Sequence, residues 1–194
     1  MSPSERVFPG HTFLKFKCTG CGNCCKEPLL PLTDADVRRI MARTGDRPSE
    51  IVRWVGRDGI DMDDEPEAFV RLRQGKRVMV LRQANGRCRY LGRDDRCSIY
   101  SSRPLGCRIY PFDPEFTSKG KVRRLTLVRA TECPYELDGD HSVRDLRALH
   151  ERYSDAHDAY NERVAEWNRE QTKRLRRGGT AQTADEFFEF LGLE

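Results

Sequence analysis

Long hydrophobic runs are missing from this chain. No stretch approaches the roughly 20 consecutive apolar residues that span a bilayer, and the opening residues contain no apolar core of a signal peptide. The expectation is therefore a protein of the cytoplasm with no membrane partner and with reduced thiols. Apolar residues are scarce overall, 37% against 34% charged, where about 25% charged is ordinary, so the hydrophobic core should be modest. Histidine is scarce too, with four residues, and neither a Ser-His-acid constellation nor a glycine-rich phosphate loop after a clear strand is present. Hydrolysis and nucleoside binding lose their usual signatures. There is no internal repeat. The net charge is only +4, from 35 basic and 31 acidic residues mixed along the chain, and aromatics do not interleave with the basic runs. That pattern argues against a nucleic-acid partner.

Cysteine is what the chain has in abundance. Eight are present, four of them in the stretch Cys18-Thr-Gly-Cys21-Gly-Asn-Cys24-Cys25. Two intervening residues let successive thiolates curl around one centre, while Gly20, Gly22 and Asn23 tolerate positive φ and can aim N–H groups at sulfur. A reducing compartment and a tight local spacing favour metal over disulfides, and the adjacent pair Cys24-Cys25 could close only a strained ring. Cys18, Cys21 and Cys24 are the local ligand candidates. Cys25, Cys88, Cys97, Cys107 and Cys133 are candidates for the remainder, in one four-ligand site, in two, or with spare thiols. Three thiolates at this spacing plus a distant fourth suit a cuboidal 4Fe-4S iron–sulfur cluster; zinc, which takes its cysteines in pairs from two knuckles, is the alternative. His11, His141, His150 and His157 read as surface or packing residues. Arg89, Arg93, Arg96, Arg103 and Arg108 lie within a few residues of a cysteine and could balance thiolate charge.

The remaining pattern is α+β. Thr33-Asp-Ala-Asp36 opens a helix with Val37, Ile40 and Met41 on one face and Gly45 as its stop. A second helix is expected from Pro48 or Ser49 through Trp54, ended by Gly56. Period-two alternation from Phe69 through Arg82, with a turn at Gln74-Gly75, predicts a small antiparallel sheet, and Asn85-Gly86 predicts a hairpin turn that presents Cys88. Residues 88–113 are broken by proline and glycine, with a helical turn near 98–102. Val122 to Val128 reads as a strand. Ser142 opens a long amphipathic helix with Leu146, Leu149, Tyr153, Ala156, Tyr160, Val164 and Trp167 spaced by three and four, a stripe that should pack on the cysteine-rich body. Thr183-Ala-Asp-Glu186 caps a terminal helix carrying Phe187, Phe188, Phe190 and Leu191. The expected organisation is a cysteine-cluster metal-binding domain over residues 1–139, with a helical segment, 140–194, docked on it.

The Cys-x2-Cys-x2-Cys-Cys run, the later Cys97-Ser-Ile-Tyr-Ser-Ser-Arg-Pro-Leu-Gly-Cys107-Arg-Ile-Tyr-Pro stretch and Cys133-Pro134 together resemble the YkgJ-like cysteine-cluster family, a zinc- or iron-chelating CxxCxxCC domain. The resemblance spans about residues 14 to 135, and the ordered combination is far more specific than a single CxxC. It implies chelated zinc or iron. A more distant likeness to flagellin lysine N-methylase implies iron–sulfur and leaves methyl transfer as an enzymatic reading, although the extra length and nucleoside-binding loop of that enzyme are missing. Three functions stay open: an iron–sulfur protein with a redox, sensing or structural role and a redox or protein partner; a zinc chaperone or storage module; and a cluster-dependent protein-modifying enzyme, for which Arg103, Arg108, Tyr100 and Tyr110 would bind an anionic substrate.

Overall fold

The computed structural model describes residues 6–7, 13–14, 17–26, 29–118, 122–127, 135–136 and 141–194. Their architecture is mixed: five α-helices, α1 (Asp34–Thr44), α2 (Pro48–Ile51), α3 (Leu105–Ile109), α4 (Val143–Arg176) and α5 (Ala184–Leu191), with small antiparallel sheets between them. The contacts sort into two compact units of interleaved segments, residues 1–27 with 85–155, and 28–84 with 156–194. Cys133 and Pro134 lie outside the described residues, as does His11.

Most of the buried apolar side chains among the described residues belong to the second unit. α1 begins where Thr33 and Asp36 form a reciprocal capping box, buries Val37 and Ile40, and stops at Gly45 in the left-handed conformation, φ 74°. α2 is shorter than its sequence pattern suggested: it ends at Ile51, and Val52–Val55, Trp54 included, is a strand. The run Val52-Arg-Trp-Val55 carries β-branched and aromatic side chains, and Val52 to Val55 pairs antiparallel with Leu81 to Val78, so strand pairing outweighs one more helical turn. Gly75–Leu81 is the central strand, flanked by Val52–Val55 and Val70–Leu72. Its Val78, Met79 and Val80 are all fully buried, so the period-two pattern expected along this strand gives way to a run covered on both faces.

Val70–Leu72 is an edge strand, and α4 covers it. Asn168 accepts from the Arg71 N–H at 2.6 Å and donates to the Phe69 carbonyl at 2.8 Å, while the Trp167 indole N–H donates to the Arg71 carbonyl at 2.9 Å. Three backbone groups of the edge are thereby satisfied by side chains in place of a neighbouring strand. Tyr160, Val164, Trp167 and Gln171 are buried at helical spacing. α5, with its own Thr183–Glu186 capping box, lays Phe187 edge-on against Trp167 at 5.1 Å and against Trp54 at 5.8 Å.

The first unit holds the cysteines. Val122–Leu127 pairs with Phe112–Phe116 on one side and Arg6–Val7 on the other; Lys17–Cys18 pairs with Tyr135–Glu136, and Phe13–Leu14 with His141–Ser142. Asn85 and Gly86 have φ of 53° and 76°, as a type I′ turn requires, and Arg87–Cys88 follows directly as a short strand. The helical turn expected near 98–102 is a 3-10 turn at Tyr100–Ser102.

Candidate metal centre

The first cysteine loop is shaped by its glycines. Gly22, φ 70°, precedes a 3-10 turn at Asn23–Cys25 closed by the Cys25 N–H on the Gly22 carbonyl at 3.0 Å. Gly22 is also pressed against the second cysteine loop: a Cβ built on it would lie 2.9 Å from the Asp95 carbonyl oxygen and 3.1 Å from Leu91 Cδ1. Lys26 reinforces the contact with an ion pair to Asp95 at 3.5 Å. The second loop is tied to itself, Gly92 N–H to Arg96 carbonyl at 2.8 Å and Ser98 N–H to Tyr90 carbonyl at 2.9 Å, with Leu91 bridging Cys97 in antiparallel register. Asp95 turns it at φ 59°.

This docking gathers five of the eight cysteines. Cys24, Cys25, Cys88, Cys97 and Cys107 act on one another electrostatically, and every one of them comes from the first unit. The Cys25 thiol donates a hydrogen bond to Cys24, which holds Cys24 below the ordinary thiol range, with Arg103 assisting, and drives Cys25 above it. Burial raises Cys107, and neighbouring Cys88 and Cys24 raise it further. Burial likewise raises Cys88 and Cys97. Cys18 is exposed on the same loop as half-buried Cys21. All seven described cysteines are free thiols.

A recurring local geometry brings backbone amides onto the cysteine sulfurs. The Cys18 sulfur accepts the N–H of Gly20, at 3.4 Å; that of Cys88 accepts from Tyr90 and Leu91; that of Cys97 accepts from Ile99. In each case the donor includes the residue two positions on. At Cys88 and Cys97 these amides pull against the burial that raises both thiols. The spacing Cys-x-N–H is invisible in the sequence apart from Gly20, because any residue but proline can supply the amide.

Arginine is distributed unevenly. Arg103 acts on Cys24, Cys97 and Cys107, and its guanidinium lies 3.8 Å from the Tyr100 ring centre. Arg108 donates instead to the carbonyls of Ser101 and Arg103. Arg87 donates to the Gly92 carbonyl and pairs with Asp95. Tyr100 is exposed and Tyr110 half-buried.

Among the described residues, no three histidine, cysteine, aspartate or glutamate side chains are spaced to hold a metal ion as they stand. The donor chemistry nevertheless fits one: five neighbouring thiols, amides directed at sulfur and an arginine to offset charge suit a thiophilic ion or an iron–sulfur cluster. Metal binding to such a loop set would include closing it.

Two docked loops that pool thiols in this way define a cysteine-cluster chelating domain. The model of the CxxCxxCC family, described as a "putative zinc- or iron-chelating domain", matches residues 17–134, and the chain belongs to that family. No curated protein and no solved structure matches the chain. No helix among the described residues is long and apolar enough to cross a membrane.

Proposed function

We propose that the chain is a cytoplasmic metalloprotein whose thiolates hold an iron–sulfur cluster of the 4Fe-4S type, in a redox, sensing or structural role. The observation that carries this reading is the repeated amide-to-sulfur geometry at Cys18, Cys88 and Cys97, beside a set of neighbouring donors made of thiols. Cluster sulfurs carry negative charge that N–H donors offset, and hydrogen bonds of this kind set the potential of such centres. The candidate ligands are Cys18, Cys21, Cys24, Cys25, Cys88, Cys97, Cys107 and Cys133. Among them, Cys24, Cys88 and Cys97 combine membership of the gathered group with backbone amides directed at sulfur.

The cluster, when bound, would supply one-electron chemistry or a crosslink that substitutes for a larger apolar core. The chain's own residues bind it, offset its charge through the amides and Arg103, and position its loops through Gly22. Anaerobic purification with a visible spectrum and analysis of iron, sulfide and zinc tests the reading. Brown protein with matched iron and sulfide supports it. Colourless protein carrying zinc replaces it with the zinc module.

A further inference from the structure

Past the last turn of α4 the chain bends back, and Arg174 holds the bend. The Gly178 N–H donates to the Leu175 carbonyl at 3.0 Å and the Gly179 N–H to the Arg174 carbonyl at 3.0 Å, so the helix end is capped by its own backbone. A Cβ on Gly179 would lie 3.1 Å from Arg174 Cγ; glycine there lets the arginine stem lie along the turn. Arg174 Nε then donates to the Thr180 carbonyl at 2.8 Å. That bond fixes the guanidinium and leaves its two terminal nitrogens, which make no hydrogen bond or ion pair among the described residues. Arg177, three residues on, is exposed, and its side chain makes none either.

Both arginines line a cleft of about 370 Å³ with Glu170, Lys173, Gly179 and Gln182. One wall is rigid: Gln182 is bonded to Gln171 through its backbone N–H, at 3.0 Å, and its side-chain oxygen, at 2.8 Å, and donates to Glu186 at 2.8 Å. Lys173 pairs with Glu170 at 2.6 Å, so the single carboxylate of the cleft is already matched. The two positive charges in excess sit on guanidinium forks at helical i, i+3 spacing, which makes side chains neighbours. The helix dipole accounts for a basic last turn, which Arg176 serves as well. It does not account for a hollow between two arginines, one of them tied back onto the turn.

We propose that this cleft binds the phosphoryl dianion of a small soluble phosphomonoester, with Arg174 and Arg177 as the forks that grip it and the Lys173–Glu170 pair at its rim. A phosphomonoester carries about −1.5 to −2 charge at pH 7, matching the excess, and presents terminal oxygens that a planar guanidinium takes two at a time. A phosphodiester, as in nucleic acid or a phospholipid, carries a single charge and fewer free oxygens, and fits less well. Every residue of the cleft belongs to the second unit, so the inference stands apart from the metal centre.

The test is an NMR titration of isotope-labelled protein with inorganic phosphate, phenyl phosphate and dimethyl phosphate at constant ionic strength, read at the Gly179 amide and the Arg174 Nε–H. Saturable shifts at both are expected with inorganic phosphate and phenyl phosphate, with dimethyl phosphate binding roughly 10-fold more weakly. Arg174→Gln and Arg177→Gln should each weaken phenyl phosphate roughly 5- to 10-fold, and Glu170→Gln should tighten it. Arg176→Gln removes an equal charge from the same helix end outside the cleft and should change binding less than about 2-fold. Arg177 holds no part of the turn, so its variant keeps the test valid should Arg174→Gln loosen the fold there. Shifts that do not saturate, dimethyl phosphate bound as well as phenyl phosphate, or Arg176→Gln as damaging as Arg177→Gln each overturn the proposal.

Discussion

Gly22→Ala should be the most damaging small substitution in the first cysteine loop, and Gly20→Ala is its internal control. Both glycines have a left-handed backbone, φ 70° and 71°, so alanine at either costs about 1–2 kcal/mol for the conformation alone. They differ in what a methyl would meet. Among the described residues nothing lies within 4 Å of a Cβ at Gly20, whereas at Gly22 it would stand 2.9 Å from the Asp95 carbonyl oxygen, 3.1 Å from Leu91 Cδ1 and 3.2 Å from Asp95 Cβ. The nearest of these is backbone, which no side-chain rotation can move, so the two cysteine loops must separate. Overpacking of that kind adds about 1–3 kcal/mol. For a chain of this size each kcal/mol lowers Tm by about 2–4 °C. Gly20→Ala should therefore lose about 2–8 °C and Gly22→Ala roughly 4–20 °C. Calorimetry on both variants, with metal content measured on the same samples, reads the difference. If the two variants melt together and retain equal metal, the close approach of the loops plays no part in assembling the centre.

Asn168→Leu should destabilise by about 1–3 kcal/mol, because Arg71 N–H and the Phe69 carbonyl lose their partner while the helix face stays filled; urea unfolding with an unchanged midpoint would reject the edge-capping role. Tyr160→Phe should raise Tm or leave it unchanged, since the Tyr160 hydroxyl is buried and finds no hydrogen-bond partner among the described residues; a loss of more than about 1 kcal/mol would mean that the hydroxyl is bonded after all. Glu186 is held at a pKa of about 2, chiefly by the Thr183 backbone N–H, so its contribution is complete above the ordinary carboxylate range and fades as pH falls through about 2. Glu186→Ala should accordingly melt below wild type at pH 7 and at pH 5, with the gap narrowing toward pH 2. A gap independent of pH would refute the assignment.

Local signals were the legible ones. Thr33 and Thr183 each cap a helix through the acid three residues on, Asn85-Gly86 makes its turn, and the bunched cysteines mark the chelating loop, because each of these depends on a few neighbouring residues. The apolar spacing of Val52 to Trp54 suits either period, so the sequence reads as helix through Trp54; the partner strand, Val78 to Leu81, decides otherwise and lies some 25 residues away. The gathering of Cys24 with Cys88, Cys97 and Cys107 is likewise a long-range event, set by Gly22 meeting Leu91 and Asp95, and Asp95 gives no hint of its positive φ in composition alone. Trp167 belongs to the amphipathic stripe legible in the sequence and Asn168 carries no such mark; that the two address the backbone at Phe69 and Arg71 depends on the fold.

The clasp between Asn168 and Arg71 joins residues 97 positions apart. On a ribosome adding 5–20 residues per second, the strand edge at Val70–Leu72 is made roughly 5–20 s before the side chains that cover it have been synthesised. During that interval a row of backbone donors and acceptors, beside the very apolar Val78–Leu81 strand, is open to any other extended chain. Nascent protein is thus most exposed to mispairing just before α4 and α5 appear, and truncations upstream of residue 168 should accumulate as aggregates while the chain through residue 194 stays dispersed.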